Sequence, residues 1–162
     1  MISLRYHGFM TDGSVSDSLR RRRLEAGLSQ RKLALQSGIP QPNIAAYESG
    51  RRAPAAGTLD RLDIALRVPT LARTRAQRSA ILEAAERRHL SDIRVFGSVA
   101  RGEAGPESDI DLLVHPAEHA SVFDLAGFMA EARELLGTDV NVASDRGTGP
   151  VMERIFAEAV PL

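Results

Sequence analysis

Apolar residues in the first 70 positions recur at intervals of three and four, the spacing of short amphipathic helices. Residues 1–15 show no sustained period and are rich in Gly and Ser, so we expect a flexible leader there. Capping residues and glycines then delimit four predicted helices: Ser16 or Asp17 to Gly27, Ser29 to Gly38, Gln41 to Gly50, and Thr58 to Ala65. On the fourth, Leu59, Leu62 and Ile64 form the predicted apolar side.

A different pattern begins after a junction at residues 68–73, which contain Pro69. Short apolar runs typical of strands alternate there with stretches of helical period. The predicted order is helix 75–89, strand 93–96, strand 110–114, helix 121–136, strand 140–142 and helix 151–159. We therefore expect two domains: an all-α bundle over residues 16–69, followed by an α/β (α+β) domain with a small mixed sheet over residues 70–162.

The charge of the chain divides near the same point, although its formal net charge is zero. Residues 1–70 carry 11 Lys and Arg against 6 Asp and Glu, a net charge of +5. Residues 71–162 carry 10 basic and 15 acidic residues, a net charge of −5. The basic half is therefore the one expected to contact a phosphate backbone.

Composition limits the compartment and the metal chemistry. Cysteine is absent, so a metal ion would be held by oxygen or imidazole ligands. No apolar run approaches the roughly 20 residues that a membrane-spanning helix needs, and the first residues lack the apolar core of a signal peptide. These features predict a cytoplasmic protein with no membrane partner.

The second and third predicted helices are separated by Gly38-Ile39-Pro40, which fits the sharp turn of a helix-turn-helix. Residues 28–50 resemble the phage-repressor (Cro/C1, or XRE) family, and the following residues match in register: Gln30, Leu33, Ala34, Gly38, Ile39, Ile44, Glu48 and Gly50. The resemblance implies a double-stranded DNA operator as partner, bound by a dimer. It also implies a partly buried ion pair between Arg23 and Glu48, which would make Arg23 structural.

Two sets of DNA contacts are predicted on this module. Gln41 stands at the head of the recognition helix, where its amide can bond adenine N6 and N7, and Asn43 is one step along, so both are expected to read bases. Phosphate contacts that set the register are expected from Gln30, Arg31, Arg51 and Arg52. The alternative is a packed helical bundle whose charges face solvent.

The clearest sign of catalytic chemistry is Gly97-Ser98 followed, after ten residues, by Asp109-x-Asp111. Residues i and i+2 of a strand share one face, so the two carboxylates can together hold one or two magnesium ions. Gly97 lets the backbone approach a phosphate, while the hydroxyl and amide of Ser98, at a helix entrance, can bind its oxygens. Arg101 extends this anion cradle.

The stretch from Phe96 to Leu112 resembles the minimal nucleotidyltransferases of the DNA polymerase β superfamily, and the resemblance extends from about residue 76 to the C-terminus. It implies a polymerase-β-like fold that uses magnesium and ATP to transfer a nucleoside monophosphate to a hydroxyl, releasing pyrophosphate. Asp109 and Asp111 would be catalytic and bind metal, and nucleotide would be bound by Gly97, Ser98, Arg101 and Asp109. Many such domains are antitoxins that adenylylate a partner toxin of the HEPN type.

The chain departs from the family at the third carboxylate, whose position falls on Asn141. An amide is a neutral metal ligand without useful basicity, so metal affinity and base strength should both be lower than with Asp. Asp139 lies two residues away on the same predicted strand face and could substitute only if the strand shifted or the substrate approached differently.

Three nearby side chains have simpler interpretations. Arg101 could be a surface residue that pairs with Glu103 or Glu107. His115 and His119 follow the second strand and are expected to be solvated loop residues rather than ligands.

The leading hypothesis is a DNA-binding transcriptional regulator fused to a nucleotidyltransferase, an antitoxin that represses its own operon and transfers AMP to its toxin. Such a protein would be a homodimer or a hetero-oligomer with the toxin. The alternative is a non-catalytic regulator whose second domain binds nucleotide or a partner protein without transfer, as Asn141 permits. Transfer to a small molecule is a third possibility, disfavoured by the lack of room for an acceptor-binding domain.

Overall fold

The computed structural model describes residues 14–162, which form two compact units divided between Val68 and Pro69. The flexible leader predicted for residues 1–15 falls outside the described residues except at its last two positions. Among residues 14–162, no helix is both long enough and apolar enough to cross a membrane.

Over residues 14–68, the first unit contains four helices: α1 (Val15–Glu25), α2 (Gln30–Ser37), α3 (Gln41–Glu48) and α4 (Ala56–Arg67). Each contributes a fully buried side chain to one core, namely Leu19, Leu33, Ile44 and Leu62. All four predicted helices are present. The predicted start of α1 at Ser16 or Asp17 is wrong, because Ser14 caps the helix by accepting from the backbone N–H of Asp17.

The turn between α2 and α3 has the predicted chemistry. Ser29 caps α2, and Gly38 ends it with φ of +65°, the left-handed conformation that glycine adopts at least cost. The predicted apolar side of α4 is partly wrong, since Ile64 is 55% exposed while Leu62 is fully buried. Leu35 on α2 is also on the surface, 81% exposed.

The second unit alternates helices with the strands of one sheet. Its elements are α5 (Leu71–Ala76), α6 (Arg78–Arg87), β1 (Leu90–Phe96), α7 (Gly97–Arg101), β2 (Ile110–Pro116), α8 (Val122–Leu136), β3 (Val140–Ser144), α9 (Pro150–Glu158) and β4 (Val160–Pro161). The helix predicted over residues 75–89 is interrupted at Gln77, which ends α5 and precedes α6. Neither α5 nor β4 was predicted.

The sheet is mixed, with strand order β3-β2-β1-β4. β1 pairs antiparallel with β2 and β4, whereas β2 and β3 run parallel, joined by the crossover helix α8. α6 packs on β1, and α8 packs on β3 and on α6. The core between them contains Ile81, Val95, Leu112, Phe128 and Val140, all buried. The predicted α/β unit with a small mixed sheet is confirmed.

Candidate functional site

Parallel pairing of β2 with β3 brings three predicted metal-site residues together. Asp109 directly precedes β2, and Asp111 pairs in register with Asn141 of β3, so their side chains share one face of the sheet. The side-chain nitrogen of Asn141 donates to Asp111 Oδ1 at 3.1 Å and also to Asp109 Oδ2. We call these residues the Asp109–Asp111–Asn141 cluster. Its amide nitrogen bridges the two carboxylates.

The electrostatics of this cluster favour a cation. Burial raises the pKa of Asp111, the hydrogen bond from Asn141 opposes this shift, and the nearby charges of Asp109 and Glu158 raise the pKa further. A bound cation would relieve the repulsion between these carboxylates. Rotating the Asn141 amide by half a turn would present Oδ1 in place of Nδ2, completing a set of hard oxygen ligands that suits magnesium.

The cluster has two carboxylates rather than three. No group of three or more His, Cys, Asp and Glu among residues 14–162 is placed to hold a metal ion. Asp139 does not join the cluster: its side chain is 85% exposed and lies 3.8 Å from Arg133. The shift of the strand that Asp139 would need is therefore absent.

The turn between β1 and α7 lies directly against the cluster. Gly97 has φ of +69°, and a Cβ at this position would overlap the carboxylate of Asp111. Ser98 lies in the first turn of α7 and is half-buried. Glycine is thus favoured at residue 97 both by the backbone conformation and by the approach of Asp111.

Two predicted nucleotide-binding groups share a partner that the sequence analysis missed. The backbone N–H of Gly97 donates to Glu158 Oε1 at 3.1 Å, and Arg101 donates to Glu158 Oε2 at 2.5 Å. Arg101 also donates to Glu103 at 2.8 Å, which confirms the alternative pairing with that residue. Glu158 lies 57 positions from Arg101, so no local spacing indicated it. In the sequence, Glu158 could be recognised as a candidate because it is a carboxylate near the end of the last predicted helix.

The two histidines lie apart from the cluster. His115 is four residues beyond Asp111 on β2, about 13 Å along the strand, and its Nδ1 is 3.0 Å from Asp145. The ring of His119 stacks edge-on against that of His89, with centroids 4.5 Å apart.

In the first unit, a buried ion pair ties α1 to α3. Arg23 Nε and Nη2 donate to the two carboxylate oxygens of Glu48 at 2.6 and 2.9 Å, and Nη1 donates to the carbonyl oxygen of Leu28. Burial raises the pKa of Glu48, but hydrogen bonds from Arg23 and Gln30 outweigh it and hold the pKa below its usual value. The predicted structural role of Arg23 is confirmed.

The same ion pair positions predicted DNA contacts. Gln30 donates from Nε2 to Glu48 at 2.9 Å, and Gln41 Nε2 donates to Gln30 Oε1 at 2.8 Å. This chain of side chains fixes the amide of Gln41 at the start of α3. Asn43 is half-buried two residues further along α3, and Arg51 donates to Ser49. The remaining predicted phosphate contacts are exposed residues, namely Arg31, Arg51 and Arg52.

Two families match the chain: a helix-turn-helix over residues 19–71 and a nucleotidyltransferase domain over residues 78–158. A Methanocaldococcus jannaschii protein named as a candidate protein adenylyltransferase is 42% identical over 67 residues, which are 41% of this chain and 72% of that protein. The chain belongs to the nucleotidyltransferase domain family. Its helix-turn-helix domain, expected from residues 28–50, is confirmed as well.

One solved structure has the same fold as the nucleotidyltransferase domain. It is described as a candidate minimal nucleotidyltransferase, is 42% identical with a TM-score of 0.53, and covers 58% of this chain and 97% of that chain. Another, a crystal structure of a toxin-antitoxin with AMP-PNP, is 21% identical with a TM-score of 0.45, over 51% of this chain and 69% of that chain.

Proposed function

We propose that this protein is a transcriptional regulator whose nucleotidyltransferase domain transfers AMP from ATP to a partner protein. In this proposal the partner is a toxin, and the helix-turn-helix domain represses the operon that encodes both. The observation that carries the enzymatic half is the Asp109–Asp111–Asn141 cluster against the Gly97 turn. The name of the M. jannaschii relative supports a protein acceptor.

Different residues of the site would bind the metal ion and the phosphates. Asp109, Asp111 and the amide oxygen of Asn141 would hold magnesium, which when bound supplies charge neutralisation for the phosphates. The backbone amides of Gly97 and Ser98 and the guanidinium of Arg101 would bind phosphate oxygens. The acceptor hydroxyl forms a bond to the α-phosphorus as the bond to the bridging oxygen breaks and pyrophosphate leaves. Since Asn141 has no basic group, the hydroxyl proton leaves to water or to a group of the acceptor.

The test is transfer of label from [α-³²P]ATP, with magnesium, to the protein encoded by the adjacent reading frame. Asp109→Ala should reduce transfer at least about a hundredfold, because it removes a carboxylate that positions the metal. Asp139→Asn is the matched control, since that exposed carboxylate lies outside the cluster, and it should leave transfer unchanged. Equal transfer by the Asp109→Ala variant and the unmodified protein would refute the enzymatic half.

A second candidate function rests on Asn141. Its amide already bridges the two carboxylates, an arrangement that a protein binding nucleotide or partner without catalysis could keep permanently. Asn141→Asp would restore the third carboxylate of the family pattern. Transfer that appears only in this variant, with none in the unmodified protein, would favour the non-catalytic regulator.

The DNA-binding half is supported by the fixed position of Gln41. With one amide hydrogen given to Gln30, the side chain keeps one donor and an acceptor oxygen, the pair that matches adenine N6 and N7. Binding to an operator of its own operon would be shown by footprinting the region upstream of the gene. Protection of unrelated DNA to the same extent would contradict it.

A further inference from the structure

Glu158 occupies two of the three donors proposed to bind phosphate. Its carboxylate accepts from the backbone N–H of Gly97 through one oxygen and from the guanidinium of Arg101 through the other. A phosphate that uses these donors needs the same two positions. We propose that Glu158 is an internal anion seated in the triphosphate cradle, which incoming ATP must displace. This inference rests on the proposed function of the Gly97 turn.

The backbone fixes Glu158 at this place. Glu158 ends α9, and only Ala159 separates it from β4, where Val160 pairs with Val95 and Pro161 pairs with Arg94. β1 in turn leads directly into Gly97. The start of β4 and the end of β1 are therefore neighbours, and this brings the last residue of α9 to the Gly97 turn.

Side chains outside the site reinforce this anchor. Arg75 donates to the carbonyl oxygen of Pro161 at 2.7 Å, and Arg78 donates to the carbonyl oxygen of Leu162 at 2.9 Å. The backbone N–H of Leu162 donates to Ile93 at 3.2 Å, and its side chain is buried. Since the segment after Glu158 is held at both its backbone and its side chains, displacement is a rotation of the Glu158 side chain or a movement of the end of α9.

Because of the negative charge around the Gly97 turn, Glu158 competes with ATP for these donors and does not assist its binding. Its side chain is 22% exposed, and it brings a third negative charge to the two aspartates of the cluster. A polyphosphate entering this field is repelled by Glu158 and finds the Gly97 amide already bonded. Once Glu158 leaves, the amide and one side of the Arg101 guanidinium become available together. The resting contact therefore lowers the affinity for a triphosphate by the free energy needed to displace Glu158 from these two donors.

Binding of ATP with magnesium to the full chain, measured by isothermal titration calorimetry, tests the competition. Glu158→Gln removes the charge, and Glu158→Ala also removes the acceptor; both should bind ATP about three- to tenfold more tightly than the unmodified protein. The matched control is Glu103→Gln, which removes the other partner of Arg101 but leaves the Gly97 contact intact. It should change the dissociation constant less than about twofold.

A measurement on the unmodified protein removes any dependence on how the variants fold. The side-chain carboxyl ¹³C resonance of Glu158 should shift in proportion to ATP occupancy, because its two hydrogen bonds break as ATP binds. A resonance that stays in place while ATP saturates the protein overturns the inference. Equal or weaker ATP binding by both Glu158 variants also overturns it.

The failure of this inference and that of the proposed function give different results. If the unmodified protein and every variant bind ATP with the same dissociation constant, the inference fails while nucleotide binding stands. If none of them binds ATP, including Glu158→Ala, the proposed function of the Gly97 turn fails and the inference fails with it.

Discussion

Asn141 pairs in register with Asp111 across the parallel strands β3 and β2, and its amide nitrogen donates to that carboxylate at 3.1 Å. The contact places a neutral donor where the family pattern has a third acid. Without a cation, the amide offsets part of the repulsion between Asp109 and Asp111. The hydrogen bonds from Asn141 therefore hold the two aspartates together without a cation.

Removing the charge of Asp111 should stabilise the metal-free protein more at pH 7 than at pH 3. Its folded-state pKa lies above the ordinary value of 3.8, so its neutral form favours folding at low pH, and that stability is lost as pH rises through the raised pKa. Asp111→Asn avoids this loss and should increase the free energy of unfolding at pH 7 by up to about 1 kcal/mol. Urea denaturation in EDTA at pH 3 and pH 7 would measure the difference in unfolding free energy between Asp111→Asn and the unmodified protein.

In this experiment the amide introduced by Asp111→Asn can still accept from Asn141, so the contact is kept while the charge is lost. Asp139→Asn, which changes an exposed carboxylate, should show little difference between the two pH values. If the unfolding free energies of Asp111→Asn and the unmodified protein differ more at pH 3 than at pH 7, the pKa of Asp111 is not raised as assigned.

Gly97→Ala should destabilise the protein more than Gly102→Ala. Both glycines have φ of +69°, so each substitution costs about 1 kcal/mol for the left-handed conformation. Only at residue 97 would the new Cβ also meet Asp111, adding about 1 kcal/mol or more as that carboxylate is displaced. Denaturant unfolding compares the two variants directly. Equal losses would mean that Asp111 moves aside freely.

Glu48→Gln should be the most destabilising of the single substitutions considered. It leaves the buried Arg23 guanidinium without its counter-charge, at a cost of about 3 kcal/mol. The folded pKa of Glu48 is lowered, so this stabilisation is present above its ordinary pKa of 4.5 and is lost as pH falls through the folded value. The difference in unfolding free energy between Glu48→Gln and the unmodified protein should therefore become smaller at acidic pH.

The exposed pair of Arg21 and Glu25 provides the comparison for Glu48. Its charged atoms are 3.9 Å apart on the surface of α1, and Glu25→Gln should cost less than about 0.5 kcal/mol. A similar loss in both variants would show that the burial of the Arg23 pair contributes nothing.

Gln41→Ala should weaken binding to the operator by about 1–3 kcal/mol and relax the preference for adenine at one position. Gln30→Ala should have a related effect, because it removes the acceptor that orients Gln41. Fluorescence anisotropy on the operator and on single-base variants measures both effects. Arg67→Ala, at an exposed position on α4 paired with Asp63, is the control and should bind normally. Uniform weakening across all sequences would reassign Gln41 to phosphate contact.

Local pattern was sufficient for the Gly97 turn and the two aspartates. A glycine after a strand and two acids at i and i+2 have the same geometry wherever they occur, and the sheet placed them as expected. The neighbour relation between Asp111 and Asn141 followed from the family pattern. In the first unit, the capping role of Ser29 and the conformation of Gly38 were also local properties.

Features that depend on distant parts of the chain were not predictable. Glu158 reaches the Gly97 turn only because β4 pairs with β1, and a strand of two residues has no detectable period. Helical spacing identified Ile64 as apolar but could not indicate that, among the described residues, its side chain is 55% exposed. The N-cap of α1 was misplaced because Ser14 and Ser16 offer the same side chain two residues apart.

The anchoring of Leu162 has a practical consequence for anyone who produces this protein. Its backbone N–H joins the sheet, its carbonyl receives Arg78, and its side chain is buried. Replacing Leu162 by a polar residue would loosen the segment that carries Glu158, and nucleotide affinities measured on such a variant would include that disturbance of the Gly97 turn. Leu162 is therefore best kept unchanged in any variant made to measure nucleotide binding.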